Sequence, residues 1–554
     1  MTKPYYEKTF ERHKKDLEDV KSDKRDDIRF VKKIGLAYVA VIEQLKHFKG
    51  ELAGQRIKLE DWQKKALVIL FGWQKMALDE KGNPIVQNGK TKWIRRFNTA
   101  FFFIARKNGK SILASGVAIA EAVLSVEKGN EIVSFATKKD QAKIVWSGCE
   151  KMIKQNRDLQ KNTTISYTTI TVNPTETTIK PLGRDSKTED GLSIGLGIGD
   201  EIHAAADRSM INVVESSMSA RVQPLMFYIT TAGFNRYSPG YEEYKYAKKV
   251  MDGAIEDDSY FAFIAELDKD DDPFDENVWH KANPNLGVSK KYDFMRKQAK
   301  QATLRTETKN NFLVKDLNKW ANATESFIDY IDWEACEISE IDTSKATAVI
   351  CGVDLSRTDD FTATAETYIF ENGTYYTTQH YYIPKNNIKE REKELRVPLT
   401  KWVLEGYITA TEGDTIDFDY IEKDLIERIE KGINEICYDP YKASRLVANI
   451  EKKTGFDGFV QIRQGFLSIS EPTFDFRDLI KAKKLLHDKN PVTNWMVSNL
   501  EVVYDPAGNV KPNKSDKNKK IDGCAAIINT LARVASYKDK EENIYNKRGM
   551  RDLG

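Results

Sequence analysis

Cysteine is scarce in this sequence. Five occur in 554 residues: Cys149, Cys336, Cys351, Cys437 and Cys524. They lie far apart, form no CxxC pair and are odd in number. That argues against a zinc site and a disulfide framework, and for a reducing cytosol. Cys351, Cys437 and Cys524 sit in apolar or small-residue runs, as small buried core residues do. No apolar stretch approaches the ~18 residues of a membrane span, so no membrane association is expected. The first residues, MTKPYYEKTFERHKK, are charged and lack a following apolar core, which excludes a signal peptide. Charge of one sign is also missing: 86 basic residues face 84 acidic ones, for a net charge of +2. A balanced total argues weakly against a nucleic-acid partner, yet it can hide a local basic channel. No internal repeat is visible.

At roughly 100–200 residues per domain, the length accommodates at least two domains with their own cores. Residues 1–55 carry helical apolar spacing (Ile34, Tyr38, Val41, Ile42, Leu45) and read as a helical lead-in. Between 56 and 235, apolar runs at 97–105, 131–136, 192–198 and 225–230 alternate with helical stretches at 111–125 and 138–155. This alternation predicts an α/β domain with a largely parallel sheet. Residues 236–330 read mainly as helices, with an acidic turn at 268–272 and a break at Asn283-Pro284-Asn285. They are expected to form a helical subdomain or lid on the same sheet, giving one domain over 56–330. Residues 331–345 are short, acidic and loop-like, as in a linker. A second domain is expected over 346–540. Its strands are predicted at 348–354, 362–370 and 375–383, with a hairpin at Glu371-Asn372-Gly373. A helix bearing Leu395, Leu399, Val403 and Leu404 follows, then a helix at 419–431, a strand at 435–438 and a last helix at 521–535. Residues 541–554 form a charged tail.

Two acidic constellations carry chemistry. In the first domain, 101–111 reads FFFIARKNGKS: an apolar strand, a loop ending Gly109-Lys110-Ser111, and an immediate helix. Backbone N–H groups at a helix start can cradle phosphate oxygens, Lys110 can reach the β/γ-phosphates, and the Ser111 hydroxyl can hold Mg²⁺. The pattern GxxxxGK[ST] has Ile104 in place of its first glycine, and on its own Asn108-Gly109 fits a strand-to-helix turn equally well. The strand LSIGLGIGDE at 192–201 tips the balance. Asp200 would hold Mg²⁺ through water, and Glu201 would orient the attacking water. His203 reads as a local hydrogen-bonding residue rather than a catalyst. LMFYITTAG at 225–233 places Thr230 and Thr231 at the carboxyl edge of the sheet, where ligands bind. They suit an element that couples γ-phosphate state to motion. In LEDWQ at 59–63, Gln63 could read adenine while Trp62 packs, though a surface helical glutamine fits as well.

In the second domain, Asp354 ends one apolar strand (ICGVD), Asp439 ends another (EICYD), and Asp522 opens the last helix. Three carboxylates brought together this way can bind two Mg²⁺ or Mn²⁺ ions for phosphodiester cleavage. Hard cations prefer oxygen donors, which fits the lack of His and Cys clusters. Asp359 and Asp360 rank lower, because they lie beyond the strand. The basic loop 509–520 suits either a DNA backbone or plain solvation. The order strand, hairpin, helix, strand, helix suits a ribonuclease-H-like fold.

Taken in order, ARKNGKS, GDEIHAA, TTAG and the three downstream aspartates resemble the large terminase subunits of tailed phages, from about residue 59 to 535. That resemblance implies a P-loop ATPase domain with a parallel-type sheet and helical subdomain, followed by a ribonuclease-H-like nuclease domain. It implies ATP with Mg²⁺, held by Gln63, Arg106, Lys107, Asn108, Gly109, Lys110, Ser111 and Asp200. Arg106 matches the basic residue of the family's deviant loop. It also implies ATP-driven translocation of double-stranded DNA through the portal of a prohead, with endonucleolytic cutting of concatemers. The implied partners are a small terminase subunit, the portal and other copies of the chain in a ring, within the cytoplasm of an infected bacterium. A trans-acting arginine is expected, with Arg184 the candidate and Arg221 the alternative. Two other classes fit less well. A DExH helicase needs a late arginine-rich motif, and none is present. A nuclease with a non-catalytic N-terminal module would lack ATP hydrolysis.

Overall fold

The computed structural model describes residues 3–136, 139–183, 191–205, 207–304, 306–321, 327–356, 360–386, 388–516 and 518–538. The chain divides into two compact units, Met1–Ala323 and Thr324–Gly554.

The first unit is built on an eight-stranded sheet. Six neighbouring strands run parallel, in the order Tyr260–Ile264, Thr99–Phe103, Leu225–Thr230, Ile194–Asp200, Glu131–Phe135 and Thr177–Leu182. Ile170–Val172 and Thr163–Ile165 extend the last edge antiparallel. The near-continuous apolar strands follow from burial on both faces. Phe102 faces the layer formed with helices Asp61–Gly72 and Lys110–Leu124, whereas Phe101 and Phe103 face the layer beside helix Pro239–Met251. This is the two-residue alternation of a strand.

Two sequence expectations change here. The stretch 236–330 is helical in most of its regular structure, as expected, but it also supplies a strand, Tyr260–Ile264 (YFAFI), which completes the sheet beside Thr99–Phe103. A short, fully apolar run lacks the alternation that marks a half-buried strand. Nor do residues 1–55 stand apart as a lead-in. Tyr6 stacks on Phe263 with centroids 4.9 Å apart, and Asp16, on helix Glu7–Lys21, pairs with the fully buried Arg96 at 2.8 Å.

The second unit has a mixed sheet in the order Ile408–Thr411, Tyr375–Pro384, Thr362–Ile369, Ala348–Asp354, Glu435–Tyr438 and Phe459–Gln461. Ala348–Asp354, Thr362–Ile369 and Tyr375–Pro384 form an antiparallel meander; Glu435–Tyr438 and Phe459–Gln461 join it in parallel. Counted from Ala348–Asp354 along the chain, the five central strands take the ribonuclease-H-like order 3-2-1-4-5, with Ile408–Thr411 added at the edge. The turn expected at Glu371-Asn372-Gly373 joins the meander, with Gly373 at φ 73°. Helix Asp522–Lys538 lies across the central strand, and a Cβ on Gly352 would meet the Ala526 carbonyl at 2.0 Å. Only glycine permits that approach. All five cysteines are buried and free.

Residues 331–345 are not a detached linker. Trp333 is fully buried, donates its indole N–H to Asn494 Oδ1 at 2.6 Å, and stacks on His487 with centroids 3.8 Å apart. His487 Nε2 donates to the Trp333 carbonyl at 2.9 Å, while Nδ1 accepts from the Lys489 N–H at 3.4 Å. One donor and one acceptor make a neutral imidazole. Burial lowers the His487 pKa to about 4. A base whose folded pKa lies below its unfolded value stabilises the fold above pH ~6.5, and this contribution is lost as pH falls toward 4. Between pH 6.5 and 5 the loss amounts to about 2 kcal/mol. His487→Gln should therefore flatten the acid decline of the melting temperature of the full chain. An unchanged decline would mean that His487 does not govern it.

Candidate active sites

The first centre forms where strand Thr99–Phe103 runs into the loop before helix Lys110–Leu124. Gly109, at φ 81°, turns the chain into the helix, and Lys107 is also left-handed at φ 68°. The helix N-terminus thus presents its N–H groups at the carboxyl edge of the sheet, as an anion site requires. Lys110 is buried. Its ammonium donates to the Ile104 and Ala105 carbonyls at 2.9 and 3.3 Å, and burial pushes its pKa down to about 8 against the pull of Glu201 and Asp200. Arg106 and Lys107 are exposed.

Between this strand and Ile194–Asp200 lies Leu225–Thr230, so its threonines stand between the loop and the carboxylates. Asp200 is buried, and burial together with Glu201 raises its pKa to about 7. Glu201, one residue on, is left-handed at φ 54°. Burial pushes its pKa up, but the His203 hydrogen bond and Lys110 outweigh this and hold it at about 2. His203 Nδ1 lies 3.0 Å from Glu201 Oε2 and 3.1 Å from Thr230 Oγ1, and Thr231 Oγ1 donates to the same Glu201 oxygen at 3.4 Å. The two threonines, the histidine and the glutamate therefore form one local network. Gln63 accepts from the Glu60 N–H at 2.9 Å in a capping box, and its Nε2 lies 3.5 Å from where a Cβ on Gly109 would stand. It thus borders the loop, as the adenine-reading expectation needs.

Of the two arginines, Arg184 lies outside the described residues. Arg221 is anchored at the opposite edge of the sheet, donating to the Ser193 carbonyl at 2.9 and 3.0 Å and to Gly129 O at 2.5 Å. Those bonds would have to break before Arg221 could serve a neighbouring site.

The second centre sits at the corresponding edge of the other sheet. Val353 pairs with Tyr438, so Asp354 and Asp439 leave adjacent strand ends, and Asp522 opens the last helix. Lys514 bridges two of them, with Nζ 2.5 Å from Asp354 Oδ2 and 3.6 Å from Asp522 Oδ1. Asp439 is turned to cap its own helix, accepting from the Tyr441 N–H at 3.1 Å. Asp360 pairs with Lys520 at 2.5 Å, and Asp359 lies outside the described residues. Asp354 and Asp439 both line a cleft of about 440 Å³ with Lys511 and Lys514. Among the described residues no three acidic, histidine or cysteine side chains stand close enough to hold an ion. The three aspartates therefore gather at one sheet edge without closing into a single cage. Two features nonetheless fit a divalent cation. Asp522 Oδ2 is buried with no hydrogen-bond partner among the described residues, and burial raises the Asp522 pKa to about 7. Lys514 already places one positive charge between two carboxylates. The donors are all oxygen, as Mg²⁺ or Mn²⁺ requires.

Sequence reasoning missed the side chains that hold the first loop from outside: Asn283, Asn285, Lys290 and Asp316. Asn283-Pro284-Asn285 stood out only as a break. Lys514 lies inside the basic loop 509–520, but nothing in the sequence singles it out.

Comparison with known proteins agrees with this division of labour. The family model for the terminase large subunit ATPase domain matches residues 61–249, and that for the terminase large subunit endonuclease domain matches 254–538. The endonuclease match begins inside the first unit, ahead of strand Tyr260–Ile264. The packed division at Ala323/Thr324 is therefore the physical boundary. The large terminase subunit of Enterobacteria phage HK97 is 27% identical over 488 residues, covering 86% of this chain and 91% of that protein. Protein YmfN of Escherichia coli K12 is 30% identical over 369 residues, 64% of this chain and 80% of its own. The crystal structure of the HK97 large terminase aligns with a TM-score of 0.46 at 25% identity, covering 90% of this chain and 99% of that one. The chain belongs to the terminase large-subunit family and joins an ATPase to an endonuclease for the packaging and cleavage of viral DNA.

Proposed function

We propose that the two sheet edges are the two catalytic centres, and that hydrolysis at the first drives double-stranded DNA through the portal of a prohead. ATP phosphates lie on the loop Arg106–Ser111, with Lys110 against the β/γ-phosphates and Gln63 at the adenine. Ser111 and Asp200 hold the Mg²⁺ that neutralises phosphate charge. Glu201 orients the attacking water, since it stays ionised beside Lys110 and His203. Thr230 and Thr231 link Glu201 to the neighbouring strand and so couple phosphate state to movement. Arg184 of a neighbouring copy supplies positive charge in a ring on the portal. A small terminase subunit selects the DNA, and the work takes place in the cytoplasm of an infected bacterium.

At the second centre Asp354, Asp439 and Asp522 hold two Mg²⁺ or Mn²⁺ ions, which activate water and stabilise the leaving 3′ oxygen. Asp439 leaves its helix cap to do so, and Lys514 gives up its place between the other two carboxylates. The observation that carries this reading is the buried, unpartnered oxygen of Asp522. A buried carboxylate oxygen left without a partner costs on the order of 1–3 kcal/mol, and a cation offsets that cost.

Two expected outcomes test the assignment on the full chain. Glu201→Gln should keep ATP affinity but lose turnover by roughly 10²–10⁴-fold, the usual range for a general base. Lys110→Ala should lose nucleotide binding as well, and both variants should still cut DNA. Normal turnover in Glu201→Gln would remove Glu201 from the role. Asp354→Asn should abolish most Mn²⁺- or Mg²⁺-dependent cleavage while ATP hydrolysis continues, and EDTA should stop cleavage by the unaltered chain. Full cleavage by Asp354→Asn would place the nuclease centre elsewhere.

A further inference from the structure

The phosphate loop lacks its first glycine, with Ile104 in that place, and its shape is held from outside. Asn108, fully buried in mid-loop, donates to Asn283 Oδ1 at 2.9 Å and accepts from the Asn285 N–H at 3.0 Å. Asn285 Nδ2 returns a bond to the Asn108 carbonyl at 3.4 Å, and its Oδ1 accepts the Trp62 indole N–H at 2.6 Å. Ser289 Oγ donates to the Lys107 carbonyl at 2.7 Å. Lys290 donates to the Arg106 carbonyl at 3.4 Å, while the Arg106 N–H donates to Lys315 O at 3.1 Å. Asn283 is itself pinned to the Asp316 carbonyl at 2.7 Å and the Trp279 carbonyl at 3.2 Å. Every loop residue from Arg106 to Asn108 is thus tied through its main chain to 283–290 or 315. The same relay reaches, through Trp62, the helix bearing Gln63. A buried amide network with its partners satisfied rigidifies what it joins and specifies one arrangement.

We propose that Asn285, Asn283 and Ser289 are positioning residues for ATP hydrolysis. They hold the loop in its phosphate-cradling shape without the missing glycine, and through Trp62 they set its place relative to Gln63. They act through the loop carbonyls and Asn108. This rests on the reading that Arg106–Ser111 binds the phosphates. It goes beyond that reading by assigning control of the loop to a segment some 175 residues downstream.

The test is steady-state ATP hydrolysis by the full chain. Ser289 is exposed, so Ser289→Ala removes one tie without disturbing a core. Trp62→Phe keeps an aromatic ring beside Phe263, whose centroid lies 4.9 Å from that of Trp62, and removes the indole N–H together with its five-membered ring. Each should raise KM for ATP by roughly 3–10-fold with kcat within about two-fold, and Ser289→Ala should do so at an unchanged melting temperature. Asn285→Ala should raise KM further. An unmoved KM in both Ser289→Ala and Trp62→Phe would overturn the proposal, as would losses of kcat that track losses of melting temperature. Lys110→Ala separates the two levels. ATP binding that survives in Lys110→Ala overturns the underlying phosphate-loop reading. Lost binding in Lys110→Ala beside an unmoved KM in the other two overturns the positioning alone.

Discussion

Carboxylates gathered in a low-dielectric setting repel one another, and each pays for lost water unless a cation sits among them. Both halves of this chain place carboxylates at one edge of a sheet under that constraint. In the first, Asp200 and Glu201 are adjacent and buried, and their pKa values are driven apart, to about 7 and about 2. Lys110 supplies the nearby charge, and His203 decides which carboxylate stays ionised. In the second, Asp354 and Asp522 flank Lys514, and the buried Asp522 carries the raised pKa. Each centre thus pairs one carboxyl poised near neutrality with one firmly ionised group or cation. That is the electrostatic preparation a divalent ion completes.

The fold delivers these groups by the simplest route. Strand ends in open sheets point their following residues at a common edge. Parallel pairing of Ile194–Asp200 with Leu225–Thr230 brings Glu201 to Thr231, and pairing of Ala348–Asp354 with Glu435–Tyr438 brings Asp354 to Asp439. Close approach of the last helix at Gly352 then sets Asp522 against the same edge. The first loop needs more support than a strand end gives, and it receives it from a buried asparagine network on a distant segment.

Much of this was legible in the chain. Strand–loop–helix order exposed Lys110 and Ser111, and apolar strands ending in acid exposed Asp200, Glu201, Asp354 and Asp439. What stayed hidden depends on long-range packing. YFAFI at 260–264 is too short and too uniformly apolar for periodicity to separate strand from helix. Trp333 sits in an acidic, loop-like stretch, and its burial against His487 follows from a contact 154 residues away. Asn283 and Asn285 read only as part of a break, because asparagine beside proline usually interrupts a helix. Only their partners, Asn108 and Trp62, show otherwise. The cap formed by Asp439 was equally invisible: a carboxylate before proline at a helix start serves the helix or a metal, and the sequence is the same in both cases.

The central claim is that each unit holds its own divalent-cation site, one dependent on nucleotide and one not. Binding of Mn²⁺ to the full chain, followed by electron paramagnetic resonance with and without a non-hydrolysable ATP analogue, tests it directly. The account predicts nucleotide-independent binding that is lost in Asp522→Asn, and additional binding with nucleotide that is lost in Asp200→Asn but kept in Asp522→Asn. Nucleotide-independent binding that Asp522→Asn leaves intact would contradict it.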